Sequence, residues 1–290
     1  MPKFTAARGD YTFEDAQGVT IHYYVWRAGT PKGVVQIVHG VGEYATRYED
    51  LAQSLVAAGY TVYAGDLRGH GQTGIGQWGA DLTKLGKLGP GGVKAMIAGI
   101  RQLSGIAHDE HPKLPLVLLG HSLGSLLAQR MLNDDASPYT AVVLSGTAYR
   151  TLIHMNGGDL SKRHRPPGGG VGTEWLSRDP DVWTRFDADP LTFDAKVAKL
   201  FGVREALGLM GRPTKLTHDL PLLILIGEED PLGGPRSVEL LARAYRRQGL
   251  SDVEVKIYEG GRHEMFNEIN REEVIADLVA WLDSKVPTTR

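Results

Sequence analysis

Short apolar runs alternate with longer amphipathic stretches along most of the chain. The runs are rich in Val, Ile and Leu and comprise Gly33–Val38, Tyr60–Ala64, Leu116–Leu119, Ala141–Leu144, Leu222–Ile226 and Val253–Tyr258. Between them, apolar residues recur at helical spacing over Arg47–Ala58, Gly92–His108, Leu123–Asn133, Arg236–Gln248 and Arg271–Lys285. Buried strands that alternate with helices are typical of a parallel sheet covered by helices on both faces. The pattern therefore predicts an α/β fold with a mostly parallel central sheet.

Two segments depart from this alternation. Tyr11–Trp26 is more polar and alternates with period two, which predicts an antiparallel hairpin at the sheet edge. Thr147–His218 contains no strand pattern, although Lys196–Met210 has apolar residues at roughly helical spacing. A connection of this length exceeds what a crossover between neighbouring parallel strands needs. We therefore predict a core of residues 1–146 and 218–290 and a helical cap at residues 147–217, with an ordinary long crossover as the alternative.

Composition narrows the classes of partner. The 290 residues carry a formal net charge of −2, and the basic residues are dispersed, so no electrostatic footprint for nucleic acid is present. No window reaches the roughly 18 apolar residues of a spanning helix, so we expect no stable membrane insertion. The stretch Met1–Tyr11 lacks the apolar core of a secretory signal, which predicts a cytoplasmic location. The expected partner is a small neutral or weakly charged molecule, and the oligomeric state stays open.

The chain contains no cysteine. Disulfides, thiolate metal sites and a cysteine nucleophile are therefore excluded. A nucleophile, if the protein has one, must come from another residue type.

The strongest local motif is Gly120-His121-Ser122-Leu123-Gly124, between a predicted strand and a predicted helix. A serine at such a turn has a strained backbone, so the positions two before and two after it must be glycine or nearly as small. The turn lifts the hydroxyl clear of the sheet, and the following helix points its N-terminus at the site. We interpret Ser122 as a nucleophile.

A serine hydroxyl needs a base and a group that orients the base. On this type of fold the expected chain order is serine, acid, histidine. His263 follows the last predicted strand at its carboxyl end, where sites in open α/β sheets collect, and we predict that it is the base. Asp230 follows the strand before it and is the predicted acid, with the neighbouring Glu228 and Glu229 as alternatives.

The oxyanion of an acyl-transfer reaction needs backbone donors. The run His39-Gly40-Val41-Gly42-Glu43 follows the first parallel strand, and its glycines allow the chain to turn so that the Val41 amide faces the site. The amide after the nucleophile, that of Leu123, would be the second donor. Loss of one such donor typically costs roughly 3–4 kcal/mol in the transition state.

Three further patterns remain. Gly69-x-Gly71-x-x-Gly74 matches a dinucleotide fingerprint formally, but we predict a surface loop there because no helix pattern follows. In the predicted cap, apolar side chains either line an acyl pocket or cover the core; the substrate-binding candidates are Leu200, Phe201, Leu207 and Met210. No metal site is predicted, since Asn267 stands where a zinc-protease motif starting at His263 needs its second histidine.

Taken together, these motifs resemble the monoacylglycerol lipase and lysophospholipase-like α/β-hydrolases. The resemblance runs over nearly the whole core, is weak in the cap, and is carried by the His39–Glu43 run, Asp66-Leu67-Arg68-Gly69-His70-Gly71, the turn at Ser122, Asp230, and Gly261-Arg262-His263-Glu264. It implies hydrolysis of monoacylglycerols and related carboxylic esters by a Ser122–His263–Asp230 triad, with a cap that governs acyl selectivity.

The sequence therefore predicts a serine carboxylic-ester hydrolase that forms an acyl-enzyme and requires no cofactor. One alternative is a general carboxylesterase for short-chain or aromatic esters, and another is a ligand-binding receptor that retains the fold. An epoxide hydrolase or dehalogenase needs a carboxylate where Ser122 stands. A cofactor-free haloperoxidase-like side reaction shares the same triad and stays open.

Overall fold

The computed structural model describes residues 6–79 and 81–286 and has the predicted α/β architecture. Residues 1–5 and 287–290 lie outside these ranges. They form the two ends of the predicted core and the start of the Met1–Tyr11 stretch. One eight-stranded sheet forms the centre. Its strands are β1 (Arg8–Glu14), β2 (Thr20–Trp26), β3 (Gly33–Val38), β4 (Tyr60–Gly65), β5 (Leu116–His121), β6 (Ala141–Ser145), β7 (Leu222–Gly227) and β8 (Val253–Tyr258).

The strand order is β1-β2-β4-β3-β5-β6-β7-β8. β1 pairs antiparallel with β2, as the hairpin prediction requires, and β2 pairs antiparallel with β4. All other pairs are parallel. The order reverses at β3, which has β4 on one side and β5 on the other. At such a switch point the loops after neighbouring strands diverge and leave a crevice at their carboxyl ends.

Nine α-helices occur in the described part of the chain. They are α1 (Glu49–Ala57), α2 (Gly71–Trp78), α3 (Gly92–Glu110), α4 (Leu123–Asp134), α5 (Pro180–Ala188), α6 (Val197–Phe201), α7 (Val203–Gly208), α8 (Gly234–Arg247) and α9 (Arg271–Lys285). Short 3-10 helices lie at Ala45–Tyr48, Leu82–Lys84, Leu160–Arg163 and Met265–Asn267.

The loop prediction for Gly69–Gly74 is wrong, because α2 begins at Gly71. The Asp66 carboxylate accepts the Gln72 amide at 2.8 Å and thereby satisfies one of the free donors in the first turn. A Cβ on Gly71 would lie 2.3 Å from that carboxylate, and one on Gly74 would lie 2.6 Å from the Gly69 backbone. Here glycine serves close packing against a loop and does not indicate irregular chain.

The core has two layers, one on each face of the sheet. In β3, Val34 and Val38 pack with apolar residues of α3, α4 and α8. Val35 and Ile37 point to the other face and pack with α1 and α9. This alternation is the period-two side-chain geometry of a strand, and burial on both faces explains the nearly continuous apolar runs in the sequence.

The segment between β6 and β7, residues 146–221, contains α5, α6 and α7 and no strand. Trp175, Leu176 and Phe186 form a small apolar cluster of their own. Leu209 and Leu216, near its end, join the large core instead. The segment therefore has both its own packing and a firm attachment to the core, and the proposed cap boundaries at 147 and 217 stay a prediction.

Candidate active site

Ser122 lies between β5 and α4, at the carboxyl end of the sheet. Its φ of 50° makes it the one non-glycine residue with positive φ in residues 6–79 and 81–286. Its amide donates to the Ser145 carbonyl at 3.0 Å, which anchors the turn to β6. Such a conformation costs of order 1–3 kcal/mol and persists only where the surrounding structure imposes it.

The two glycines of the motif allow this turn to pack. A Cβ on Gly120 would lie 2.5 Å from the Gly124 carbonyl oxygen, and a Cβ on Gly124 would lie 2.0 Å from the Val38 carbonyl oxygen. Both contacts are with backbone atoms, which cannot move aside as a flexible side chain can. The glycines therefore follow from the close approach of α4 to β3 and β5.

Asp230 and His263 lie on the loops after β7 and β8 and contact each other. His263 Nδ1 is 2.9 Å from Asp230 Oδ2, and both side chains are almost fully buried. Asp230 Oδ1 accepts the Leu232 amide at 2.8 Å, which fixes the orientation of the carboxylate. The contact predicts an imidazole that carries its proton on Nδ1 and keeps Nε2 as a free base.

Burial and charge act in opposite directions on His263. Burial disfavours the imidazolium, but the Asp230 carboxylate outweighs it, so the pKa of His263 is raised above its ordinary value. Nε2 is buried and has no partner among the described residues. The rings of Trp175 and His121 pack against the imidazole with centroid distances of 4.8 and 4.9 Å. They restrict the ring to its present orientation.

The two alternative acids are placed differently. Glu228 is exposed and accepts the Gly260 amide at 3.1 Å. The Glu229 carboxylate is 44% exposed and faces His164 at 3.8 Å. Neither carboxylate contacts His263, so the geometry favours Asp230. No hydrogen bond joins the Ser122 hydroxyl to His263 in the described residues, and such contacts are often long before substrate binds.

The run His39–Glu43, called here the oxyanion loop, follows β3 and lies beside Ser122. His39 Nε2 accepts the Leu67 amide at 2.9 Å, so Nδ1 carries the proton and donates to the Gly40 carbonyl at 2.7 Å. The C=O and N–H of a trans peptide point in opposite directions. The Val41 amide therefore points away from His39, and neither it nor the Leu123 amide has a backbone acceptor in the described residues.

A buried charge cluster, absent from the sequence-based prediction, lies next to this loop. Glu43 contacts Arg47, and the Arg47 guanidinium reaches both carboxylate oxygens of Glu264 at 3.0 and 3.2 Å. Glu43 and Glu264 line the same cavity as Ser122 and His263. The spacing of Glu43 and Arg47 suits an ion pair, but the contact with Glu264 spans 217 residues and has no signal in the sequence.

These groups open into a cavity of about 380 Å³. Apolar side chains from the β6–β7 segment form much of its wall, namely Leu160, Val171, Trp175, Leu176, Phe186 and Phe193. Polar and charged side chains line other parts of it, including Asp159, Arg165, Thr173, Asp187 and Lys196. This volume is near the lower end of what ligand pockets enclose and suits a small organic molecule.

The four apolar cap candidates are not among the residues that line this cavity. Phe201 packs against the core, and Met210 packs against a small cluster that includes Leu126. Leu207 is 54% exposed. Leu200 is half-buried near Gly86. Helical spacing identified apolar positions, but the chain folds α6 and α7 onto the core and turns other residues of the segment toward Ser122.

Two properties concern metals and membranes. In the part of the chain that the structure describes, no group of three or more His, Asp or Glu side chains is arranged to hold a metal ion. None of the helices in that part is both long and apolar enough to cross a membrane.

Comparisons with known proteins agree with the fold. The family model Hydrolase_4, described as serine aminopeptidase S33, matches residues 29–270. A monoacylglycerol lipase of Mycolicibacterium smegmatis is 33% identical, over 97% of this chain and 99% of that protein. A thermostable carboxyl esterase from Bacillus coagulans shares the fold at 24% identity, with a TM-score of 0.83 over 97% of this chain and 99% of the other.

A solved monoacylglycerol lipase of Paleococcus ferrophilus is 27% identical, covers 91% of this chain and 99% of its own, and superposes with a TM-score of 0.65. The chain therefore belongs to the serine aminopeptidase S33 family and has the α/β-hydrolase fold.

Proposed function

We propose that this protein hydrolyses monoacylglycerols and related lipid esters through a covalent acyl-enzyme on Ser122. It is a carboxylic-ester hydrolase. The observation that carries the proposal is the convergence, at one cavity, of the turn at Ser122 and the buried His263–Asp230 contact. Ser122, Asp230 and His263 each lie just after the carboxyl end of a different strand.

The first half of the reaction forms the acyl-enzyme. His263 Nε2 takes the proton of the Ser122 hydroxyl as its oxygen attacks the ester carbonyl carbon. The Asp230 carboxylate stabilises the imidazolium without accepting its proton. The Val41 and Leu123 amides hold the negative oxygen of the tetrahedral intermediate. When the bond between the carbonyl carbon and the alcohol oxygen breaks, His263 returns the proton to the departing alcohol.

The second half releases the acid. Water enters the place left by the alcohol, loses a proton to His263 Nε2 and attacks the acyl carbon. The same two amides stabilise the second intermediate, and Ser122 leaves with the proton from His263. Every proton transfer uses His263, so the residues named suffice for the cycle and no cofactor is required.

The substrate class rests on the cavity and on the relatives. The apolar wall formed by Trp175, Leu176, Phe186 and Phe193 suits an acyl chain, and the polar residues elsewhere in the cavity suit an alcohol with free hydroxyl groups. The relative with 33% identity is named a monoacylglycerol lipase. Both observations support a lipid ester with one acyl chain.

The test combines serine labelling with a substrate panel. We expect a fluorophosphonate to label the wild-type protein but not the Ser122→Ala variant, whose ester turnover should fall by roughly 10³-fold or more. Turnover that survives this substitution would contradict the role of Ser122. The panel spans long-chain and short-chain monoacylglycerols, lysophospholipids, aryl esters and amides. A preference for short-chain or aromatic esters would replace the lipid substrate with that of a general carboxylesterase.

A further inference from the structure

We propose that Glu43, in its neutral, protonated form, is a positioning residue that holds the oxyanion loop in place. Ionisation of this carboxyl group lowers the rate of acyl transfer. The inference deepens the proposed function and rests on it. It assigns a role to the one acidic side chain in the oxyanion loop, whose hydrogen bonds among the described residues go to Gly40 and Tyr48 and not to His263 or the Ser122 hydroxyl.

The Glu43 carboxyl group is hydrogen-bonded to the backbone at Gly40, next to Ser122. Glu43 Oε1 accepts the Gly40 amide at 2.6 Å and the Tyr48 hydroxyl at 2.8 Å. A Cβ on Gly40 would lie 2.7 Å from Glu43 Oε1 and 3.0 Å from Ser122 Cβ. Only the width of Gly40 therefore separates this carboxyl group from the nucleophile. Together with the bond from His39 to the Gly40 carbonyl, the contact fixes the peptides on both sides of Gly40.

The charges around Glu43 are shared unevenly. Two buried carboxyl groups, Glu43 and Glu264, share the single guanidinium of Arg47. Glu264 takes the closer contacts from Arg47, at 3.0 and 3.2 Å, and also accepts Asn267 Nδ2 at 2.8 Å. Arg47 Nε is 3.7 Å from Glu43 Oε2, beyond hydrogen-bond distance. Glu43 is thus the less compensated of the two carboxyl groups.

Burial and the neighbouring Glu264 carboxylate raise the pKa of Glu43 to about 7, although Arg47 opposes the shift. Glu43 Oε2 accepts no hydrogen bond from the described residues and can carry the proton, while Oε1 keeps both of its bonds. The titratable and charged groups packed around Glu43 are Arg47 and Tyr48 on its own segment, Glu264 and His263 after β8, and His121 at the end of β5.

The charge of the tetrahedral intermediate determines which form of Glu43 is favourable. Negative charge develops on the substrate oxygen at the Val41 and Leu123 amides, on the other side of Gly40 from Glu43. An ionised Glu43 would repel that charge at short range in a buried site. A neutral carboxyl group accepts the same two hydrogen bonds without this repulsion. The protonated form therefore favours the oxyanion more than the ionised form does.

The experiment compares Glu43→Gln with Glu43→Ala on a short-chain aryl ester from about pH 5.5 to about pH 9. Glutamine is neutral and keeps an oxygen for Gly40 and Tyr48, so we expect its maximal kcat to lie within about threefold of the wild-type maximum. Alanine leaves the Gly40 amide without its acceptor, and kcat should fall tenfold or more. Wild-type kcat should decline above about pH 7, and Glu43→Gln should lack that decline.

The matched control is Glu239→Gln, the same substitution at an exposed position of α8, which should keep the wild-type pH profile. The rate of fluorophosphonate labelling, measured over the same pH range, reports on the oxyanion hole without ester turnover. A wild-type protein that labels but turns over no ester would contradict the proposed function, and the labelling rates would still test Glu43. A Glu43→Gln variant as impaired as Glu43→Ala, or a wild-type rate that is constant above pH 7, would overturn the inference.

Discussion

At the scale of single residues, the candidate site depends on buried histidines whose charge is set by burial and by nearby carboxylates. His263 is surrounded by protein and would resist protonation if burial acted alone. Asp230 reverses this effect and raises the pKa of His263. His39 and His70 have no such partner, so burial lowers their pKa values, that of His70 to about 4. Only His263 among these three is equipped to exchange a proton near neutral pH.

This difference predicts the acidic limb of the rate profile. The reaction needs neutral His263, so kcat/KM should rise with pH through an apparent pKa above 6.5, the ordinary value for histidine. In Asp230→Asn, burial acts without the carboxylate, so the pKa of His263 should fall below its ordinary value and kcat should drop by roughly 10³–10⁴-fold.

Titration of the His263 ring by NMR, beside the pH–rate profile, checks this prediction. The exposed Glu229→Gln variant is the control and should leave both measurements unchanged. An unshifted His263 titration in Asp230→Asn would show that another group sets its charge.

At the scale of secondary-structure elements, the nucleophile turn joins a strand and a helix that approach unusually closely. Gly120 and Gly124 meet backbone atoms of neighbouring elements, so the turn is shaped by packing as well as by its own conformation. α2 follows the same principle at Gly71 and Gly74. In both places glycine removes a side chain where two elements touch.

We expect Gly124→Ala to lower the free energy of unfolding by about 2 kcal/mol or more, because its Cβ would overlap the Val38 carbonyl oxygen. Gly105→Ala on the open face of α3 is the matched control. No atom lies within 4 Å of a Cβ there, so alanine should stabilise the protein by about 0.5–1 kcal/mol through helix propensity.

Urea unfolding of both variants provides the measurement. Equal effects at the two positions would contradict the packing argument. Loss of activity in Gly124→Ala beyond its loss of stability would indicate that the turn itself has moved.

At the scale of the whole molecule, ion pairs and loop contacts join parts of the chain that are distant in sequence. Arg68, after β4, binds Asp15 in the turn of the β1–β2 hairpin at 2.7 Å, and both side chains are nearly inaccessible to solvent. The Phe193 amide donates to the Gly42 carbonyl at 3.0 Å and so connects the β6–β7 segment to the oxyanion loop. Because Arg68 belongs to the Asp66–Gly71 motif, this motif contributes to tertiary structure. It does not line the cavity.

The buried Arg68–Asp15 pair should contribute to the free energy of unfolding of the whole protein. Arg68→Leu leaves the Asp15 carboxylate buried without its cation and should cost about 3–5 kcal/mol of unfolding free energy. Arg8→Leu removes a partly exposed partner of Asp10 and should cost less than about 1 kcal/mol. Thermal and urea unfolding distinguish the two variants. Similar losses would mean that the buried pair contributes no more than a surface pair.

The sequence by itself determined most of the secondary-structure elements and identified Ser122, Asp230 and His263 as candidate catalytic residues. Periodicity identified the strands and most core helices because burial on one or both faces leaves a local pattern. The Gly-x-Ser-x-Gly turn and the order of Ser122, Asp230 and His263 are likewise local or ordinal signals. The prediction for Gly69–Gly74 was wrong because these glycines allow close contacts, with the Asp66 carboxyl group at Gly71 and with the Gly69 backbone at Gly74.

Only the tertiary structure decided which residues surround the cavity at Ser122 and how charge is shared there. Helical spacing marked Leu200, Phe201, Leu207 and Met210, but the cavity wall is built from Trp175, Phe186 and other residues of the same segment. The Glu43–Arg47–Glu264 cluster joins two segments that are far apart in the chain, and no sequence pattern relates them. Contacts between distant segments depend on how loops pack. Loop packing, unlike the burial of strands and helices, leaves no periodic pattern in the sequence.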